Sequence, residues 1–447
     1  MRMAGRAGPA ARVLVRALRG ELAPELLLRR LAARAGACGL PPPAAMIGDW
    51  FGGTAVLAPS VRILPVPAAG AFAVPDRLPV LGGEVPGGAV GGGWVGYLGF
   101  GLTDPGRRPP CPRRLPVAAW GWADHVLRRD RAGRWWFEAL VDAGGGSGGT
   151  GLTEGRAAGL AEELAALLAA GDDPPPAGWH GSVLLAPSRS RHERAVRRCL
   201  AAIADGEVYQ ANVCTRYELA LRGDPVEAFA AGVTKHGPAQ AAYLAGGWGA
   251  IASLSPELFL ARQGRLVRSA PIKGTDAADP ARLAASAKDR AENIMIVDLV
   301  RNDLGRVCAT GSVTVPELLA VHPAPGVWHL VSTVAGVLRP GVTDAELLAA
   351  TFPPGSVTGA PKLRALRLLA ELEPVAREAY CGAVGMASPA AGLQLNVAIR
   401  TMEVAPGGPA WIGVGGGITI DSDPAAEWAE CLAKAAPLLE LLGTAGP

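Results

Sequence analysis

Between Met46 and Phe137 a glycine, a proline or a charge interrupts every apolar run within a few residues. Proline fixes φ and has no amide hydrogen to donate, and glycine costs entropy inside a helix or strand, so these residues mark where elements end. The runs Ala55-Val-Leu57, Val61-Arg-Ile-Leu64, Trp94-Val-Gly-Tyr-Leu-Gly-Phe100 and Trp135-Trp-Phe-Glu-Ala-Leu-Val141 are therefore expected as a meander of short strands. Further strands are expected at Val183–Leu185, Glu207–Leu219, Ala250–Ser253 and Glu257–Arg262. Apolar residues recur at helical spacing around Leu26, Leu27, Leu28 and Leu31, from Thr153 to Ala170 and from His192 to Ala204. Two more helices start with an Asp cap and a proline in the first turn, Asp279-Pro280 and Asp423-Pro424, the second running to Gly443. Helices and strands mix without a βαβ rhythm, which predicts an α+β fold with antiparallel sheets.

Charge narrows the function. With 43 basic and 40 acidic residues the formal net charge is +3, too weak a field to attract nucleic acid or an anionic membrane. No apolar run is long enough to span a bilayer. Arg2, Arg6, Arg12, Arg16, Arg19, Arg29 and Arg30 give the start the composition of a transit peptide, but serine is missing there and the whole chain is rich in Ala, Gly, Pro and Arg. The seven cysteines are scattered without a Cys-x-x-Cys pair, so a reducing, cytoplasmic compartment is expected.

One formal Gly-x-Gly-x-x-Gly match, at Gly146, Gly148 and Gly151, lies between an expected strand and an expected helix. A dinucleotide site also needs a second parallel strand ending in an acid. Here the helix leads into Asp172-Asp-Pro-Pro-Pro176, so the match reads as a connector and Pro174–Pro176 as a boundary. Residues 1–175 are expected as an N-terminal region and 180–443 as a catalytic one, the two forming one intertwined unit.

Several constellations are suited to chemistry. Lys273 lies between Ile272 and Gly274 in Pro271-Ile-Lys-Gly-Thr275, which reads as a stiff turn presenting a lysine. Asp289 and Glu292 share one helical face, and so do Glu427 and Glu430. Hard oxygen ligands from two elements suit Mg²⁺ shared with an anionic substrate; solvated surface acids fit the same pattern. Phe352–Arg364 is a loop feeding a helix start, where free amides and the Ser356 and Thr358 hydroxyls can hold a carboxylate or phosphate. His329 lies in an apolar strand-like run, the usual setting of a core histidine. Gly413-Val-Gly-Gly-Gly417 admits close backbone approach to a ligand, or simply a bend.

Taken in order, Pro271–Thr275, Asp298-Leu-Val-Arg-Asn-Asp-Leu-Gly-Arg-Val307, His329-Leu-Val-Ser-Thr333, Ser356-Val-Thr-Gly-Ala-Pro-Lys362, Ile399-Arg-Thr401 and Gly415-Gly-Gly-Ile418 closely resemble the chorismate-utilising enzymes. That family includes anthranilate synthase component I, isochorismate and salicylate synthases, and aminodeoxychorismate synthase component I. The resemblance is strong over 180–443 and weak before it. Anthranilate synthases typically carry alanine in Pro-Ile-x-Gly-Thr and aminodeoxychorismate synthases carry lysine, so Lys273 points to the second branch.

The resemblance implies two large, mostly antiparallel sheets packed together with flanking helices, as in anthranilate synthase component I. It implies that Lys273 attacks C2 of chorismate, that Glu257 of Ser255-Pro-Glu257 protonates the departing hydroxyl, and that His329 stands beside the ring. Glu292 and Glu430 look like Mg²⁺ ligands, with Asp289 and Glu427 near the ion through bound waters. Arg400, Tyr380, Gly415 and Gly417 resemble the contacts to the enolpyruvyl carboxylate, and Thr275, Ser356, Thr358, Gly359 and Lys362 the lining of the same pocket. Gln210 falls where water-adding relatives use a lysine, and an amide cannot activate water. Gln394 replaces a frequent family acid, and the family's tryptophan-pocket motif is not recognisable around Met46–Ser60. With no glutaminase nucleophile motif, the implied partner is a separate glutamine amidotransferase subunit supplying ammonia. Anthranilate synthase, an isochorismate-type synthase and a non-catalytic chorismate- or partner-binding relative remain the alternatives.

Overall fold

The computed structural model describes residues 11–103, 114–142, 151–171 and 178–443. They form the expected α+β architecture of two antiparallel sheets, packed face to face with helices outside. The larger sheet runs Ala11–Leu18, Trp135–Asp142, His125–Arg129, Gly53–Ala58, Ala44–Trp50, Gln240–Gly246, Gly249–Ser253, Thr401–Val404, Pro409–Ile418 and Gln210–Arg222. Gln210–Arg222 then pairs with Gly359–Ala360 near its start and His180–Leu185 near its end. The second sheet runs Ile272–Asp276, Val327–Val337, Leu266–Ala270, Leu258–Gln263, Gly392–Val397, Ala383–Ser388, Gly93–Leu98, Ala118–Ala123 and Leu64–Pro65, with Thr314–Ala324 paired to Val327–Val337. Strands from before residue 143 and after residue 178 contribute to both sheets.

Between the sheets, Ala44, Met46 and Val56 of the larger one pack with Val95, Tyr97, Val384 and Met386 of the other. On the outer face of the larger sheet lie Leu27, Leu28 and Leu31 of helix Pro24–Cys38, Leu160 and Leu164 of Glu154–Ala169, and Leu438 and Leu439 of Pro424–Leu441. Helix Ala287–Gly305 lays Ile296, Val297 and Val300 against the second sheet's core. Burying each such side chain contributes about 2 kcal/mol.

Local chemistry sets the ends of these helices. Thr153 accepts the Arg156 amide, Asp279 accepts Ala281, and Asp423 accepts Ala425 and Ala426. The arginine-rich opening is, from Ala11, an edge strand paired with Trp135–Asp142. Gly146, Gly148 and Pro174–Pro176 lie outside the described residues. Trp135–Asp142, the strand before that glycine run, has antiparallel partners on both sides, an arrangement unlike a dinucleotide-binding βαβ unit. Cys111 also lies outside the described residues, and the other six cysteines are free thiols. No described helix is long and apolar enough to cross a membrane.

Candidate active site

Lys273 stands on a strand where the sequence suggested a stiff turn. Ile272–Asp276 pairs with Val327–Val337, and the register slips between Ile272 and Thr275, so Lys273 and Gly274 form a bulge. Proline before the strand and glycine within it read as turn chemistry, but both also suit a bulge at a sheet edge. Gly274 has a φ of +87°. A Cβ there would lie 2.9 Å from Asp289 Cβ and Cγ, so glycine lets the lysine strand close onto helix Ala287–Gly305. Past the bulge, Thr275 faces His329 across the ladder, with Thr275 Oγ1 and His329 Nδ1 2.9 Å apart.

The glycine strand Pro409–Ile418 brings Lys273 to its neighbours. A Cβ on Gly417 would lie 2.2 Å from Gln210 Nε2 and 3.2 Å from Lys273 Nζ. Gln210 is fully buried, and neither its amide nitrogen nor its amide oxygen has a hydrogen-bond partner. Leaving such groups unpaired is costly, and buried orphans of this kind concentrate where a ligand binds. One residue back, on the opposite face, a Cβ on Gly416 would lie 2.9 Å from Glu427 Oε2.

Glu257 is also buried, and burial raises its pKa to about 7, against the pull of Ser356, the Lys273 ammonium and the Ile272 amide. Such a carboxyl can give up a proton at neutral pH. His329 goes the other way: burial, with the Arg400 charge adding to it, lowers its pKa to about 4, so the imidazole is neutral near pH 7. Below it Ser332 donates to Asn293 Oδ1 and accepts the Leu319 amide, bracing the His329 strand against helix Ala287–Gly305. Arg400 takes a left-handed φ of 48°, and burial lowers its pKa. Its guanidinium has no carboxylate partner among the described residues, which leaves it suited to an anionic ligand.

Helices Ala287–Gly305 and Pro424–Leu441 bring three carboxylates together. Burial raises the pKa of Glu292, with Glu430 and Glu427 adding to it and Lys273 and Lys288 opposing. At Glu430 burial is outweighed by Lys434, Lys288 and Lys273, and the pKa falls. Glu427 accepts from Ser422 at 2.7 Å and Lys288 at 3.2 Å through Oε1, while its buried Oε2 has no partner. Asp289 belongs to the lysine side of the site, packed against Gly274 in the first turn of its helix. Among the described residues no three His, Cys, Asp or Glu side chains form a ready ligand set. The donors are nevertheless hard oxygens from two helices, one of them a buried orphan, and they fit a hard divalent cation.

Of the other expected pocket residues, Lys362 and Thr358 are tied into the frame of the site. Lys362 donates to Asp303 Oδ2 at 2.5 Å, Thr351 O at 2.7 Å and Pro353 O at 2.9 Å, which uses all three of its hydrogens. Thr358 donates to the carbonyls of its own loop, at Pro354 and Gly355. Ser356 keeps a buried hydroxyl beside Glu257, where it opposes the rise in that carboxyl's pKa. A Cβ on Gly359 would lie 2.2 Å from Gln210 O, so glycine lets that loop pair with the Gln210 strand. The Tyr380 ring lies over Gly413, where a Cβ would come within 2.3 Å of it, and a Cβ on Gly415 would meet Cys214 Sγ at 2.6 Å. Asp303 stood out in the sequence only as part of a motif, and Lys434, which bonds Glu430 and Gly415 O, did not stand out at all.

The sequence profile of the family described as chorismate binding enzyme matches residues 73–440. The chain belongs to that family. Aminodeoxychorismate synthase component 1 of Klebsiella aerogenes is 42% identical over 264 residues, 57% of this chain and 58% of that one. The chain thus spans less than two thirds of that relative. The anthranilate synthase component I-like protein of Synechocystis is 33% identical over 368 residues, 78% of this chain and 73% of that one. The aminodeoxychorismate synthase of Streptomyces pristinaespiralis is 39% identical over 78% of this chain and 50% of its own. Among solved structures, anthranilate synthase component I from Streptococcus pneumoniae TIGR4 superposes with a TM-score of 0.70 at 24% identity, over 98% of this chain and 95% of that one. The menaquinone-specific isochorismate synthase of Escherichia coli does so with a TM-score of 0.71 at 21% identity, over the same shares. These two likenesses show the fold.

Proposed function

We propose that the chain is an aminating transferase, an aminodeoxychorismate synthase component I that converts chorismate and ammonia to 4-amino-4-deoxychorismate, the precursor of para-aminobenzoate and folate. The observation that carries this is Lys273 Nζ beside Gly417 and the Gln210 amide, within charge reach of a Glu257 whose pKa is about 7. Only the unprotonated amine of a lysine is a nucleophile, and in that form Lys273 bonds to C2 of the ring as the double bond shifts and the C4–O bond breaks. Glu257 gives its proton to the departing hydroxyl, which leaves as water. Ammonia then adds at C4, the double bond shifts back, and the pair of the C2–N bond returns to Lys273. The proton that the new ammonium sheds restores Glu257. Arg400 and neutral His329 orient the enolpyruvyl carboxylate and the ring. Glu292 and Glu430, with Glu427 and Asp289 behind them, would hold Mg²⁺, which when bound grips the ring carboxylate and cancels negative charge facing Lys273. Gln210 cannot take a proton from water, which favours ammonia as the nucleophile. A separate glutamine amidotransferase in the same cytoplasmic compartment would supply that ammonia.

Incubation with chorismate, Mg²⁺ and an ammonium salt, with products separated by chromatography, tests the reading. Aminodeoxychorismate is expected, and Lys273→Ala should lower its formation at least roughly a hundredfold or divert it to anthranilate. Anthranilate or isochorismate from the parent refutes the branch assignment. No product at all points to a binding-only relative, and an unimpaired Lys273→Ala rules out the covalent step.

A further inference from the structure

We propose that Lys288 is a built-in counter-cation for the Glu292, Glu427 and Glu430 cluster, one that a divalent ion must displace in order to bind. This rests on the reading of those carboxylates as the Mg²⁺ site. Three acids brought together by two helices and partly withdrawn from water repel one another unless a cation sits among them. Lys288 is placed to do this. It lies on the same helix as Glu292, one turn before it, and its Nζ is 3.2 Å from Glu427 Oε1 and 3.9 Å from Glu292 Oε1. It therefore ties helix Ala287–Gly305 to helix Pro424–Leu441 across the gap where the metal would sit.

The number of bonds that hold Lys288 distinguishes it from Lys362 and from Lys434, whose side chain is 43% exposed. Lys362 is 12% exposed and bound to three oxygens, a fixed staple. Lys434 is bound both to Glu430 and to a main-chain carbonyl. Lys288 makes one hydrogen bond, and its side chain is 45% exposed, so it can swing into solvent without breaking a buried network. A dication next to Glu427 and Glu292 would stand within a few ångströms of the ammonium, and repulsion at that range makes the two exclusive. When Lys288 leaves, Glu427 Oε1 loses one of its two donors and gains room for a metal-bound water, beside the orphaned Oε2.

Mn²⁺ binding without chorismate tests the proposal, with free Mn²⁺ followed by its electron paramagnetic resonance signal. Lys288→Met and Lys288→Gln should each bind Mn²⁺ roughly tenfold more tightly than the parent, while Lys288→Arg should keep the parent affinity. Metal-free Lys288→Met should melt below the parent, and saturating Mn²⁺ should close that difference. If the neutral variants bind Mn²⁺ no more tightly than the parent, and Glu430→Gln still abolishes binding, the counter-cation proposal alone falls. If the parent binds no Mn²⁺, or Glu430→Gln binds as well as the parent, the metal reading falls and takes the proposal with it.

Discussion

Replacing Glu257 with glutamine should stabilise the protein while crippling it, and the stabilisation should depend on pH in a defined direction. Glutamine keeps the shape of the side chain and removes its charge. Glu257 is 4% exposed, and its pKa stands at about 7 against an ordinary 4.5. Between those values the folded chain binds a proton that the unfolded chain has released. Stability is therefore fully present below pH 4.5 and is lost as the pH rises through 7. At about 1.4 kcal/mol per pH unit across that interval, the ionised carboxylate costs the fold ~3 kcal/mol by pH 8. Unfolding entropy of roughly 2.1 cal/mol/K per residue, over 447 residues, converts this to about 3 °C in Tm. Glu257→Gln should thus melt about 3 °C above the parent at pH 8 and within about 1 °C of it at pH 5, with product formation reduced on the order of a hundredfold. Paired melting curves at the two pH values, with an ammonia-dependent turnover assay, measure both effects. An equal shift in Tm at pH 5 and pH 8, or a loss of stability at pH 8, would refute the claim that burial holds this carboxyl's proton.

Two further substitutions probe the frame around the site. Lys362→Met strands the Asp303 carboxylate and should cost ~3–5 kcal/mol, lowering Tm by about 3–5 °C; adding Asp303→Asn should recover part of the loss in the same melt. Gly417→Ala puts a methyl group 2.2 Å from Gln210 Nε2, and the displacement it forces should lower turnover on the order of a hundredfold with the folded circular-dichroism spectrum intact. Unchanged turnover would show that Gln210 and Lys273 need no fixed placement.

Much of the fold could be read from local chemistry. Helix starts at Thr153, Asp279 and Asp423 follow from capping residues, and most strands from runs bounded by glycine and proline. Val61–Leu64 was expected as a strand, but only Leu64–Pro65 pairs. An intertwined unit was expected, but which early strand pairs with which late one could not be read locally, because pairing over such distances leaves no mark on either strand alone. The candidate site was legible in proportion to its chemistry. Lys273, Glu292 and Glu430 stand out as residue types in motifs, and the structure brings them within charge reach of one another. Lys362 and Thr358 stand out equally, yet tertiary contacts turn their polar atoms inward to carbonyls and to Asp303. Lys288 and Lys434 look like ordinary helix-surface lysines until the second helix and the glycine strand are in place.

Gly415, Gly416 and Gly417 show why that placement is demanding. Successive strand residues point to opposite faces, so a three-residue run of glycine leaves both faces bare. On one face the space is taken by Cys214 Sγ at Gly415 and by Gln210 and Lys273 at Gly417; on the other, by Glu427 at Gly416. Each glycine is thus required by a different neighbour, and none of the three needs a positive φ. A close-packed interior passes small displacements on rather than absorbing them. A side chain added at Gly416 to crowd the carboxylates should therefore also shift the lysine side of the strand, so the two halves of the site are coupled through one stretch of bare backbone.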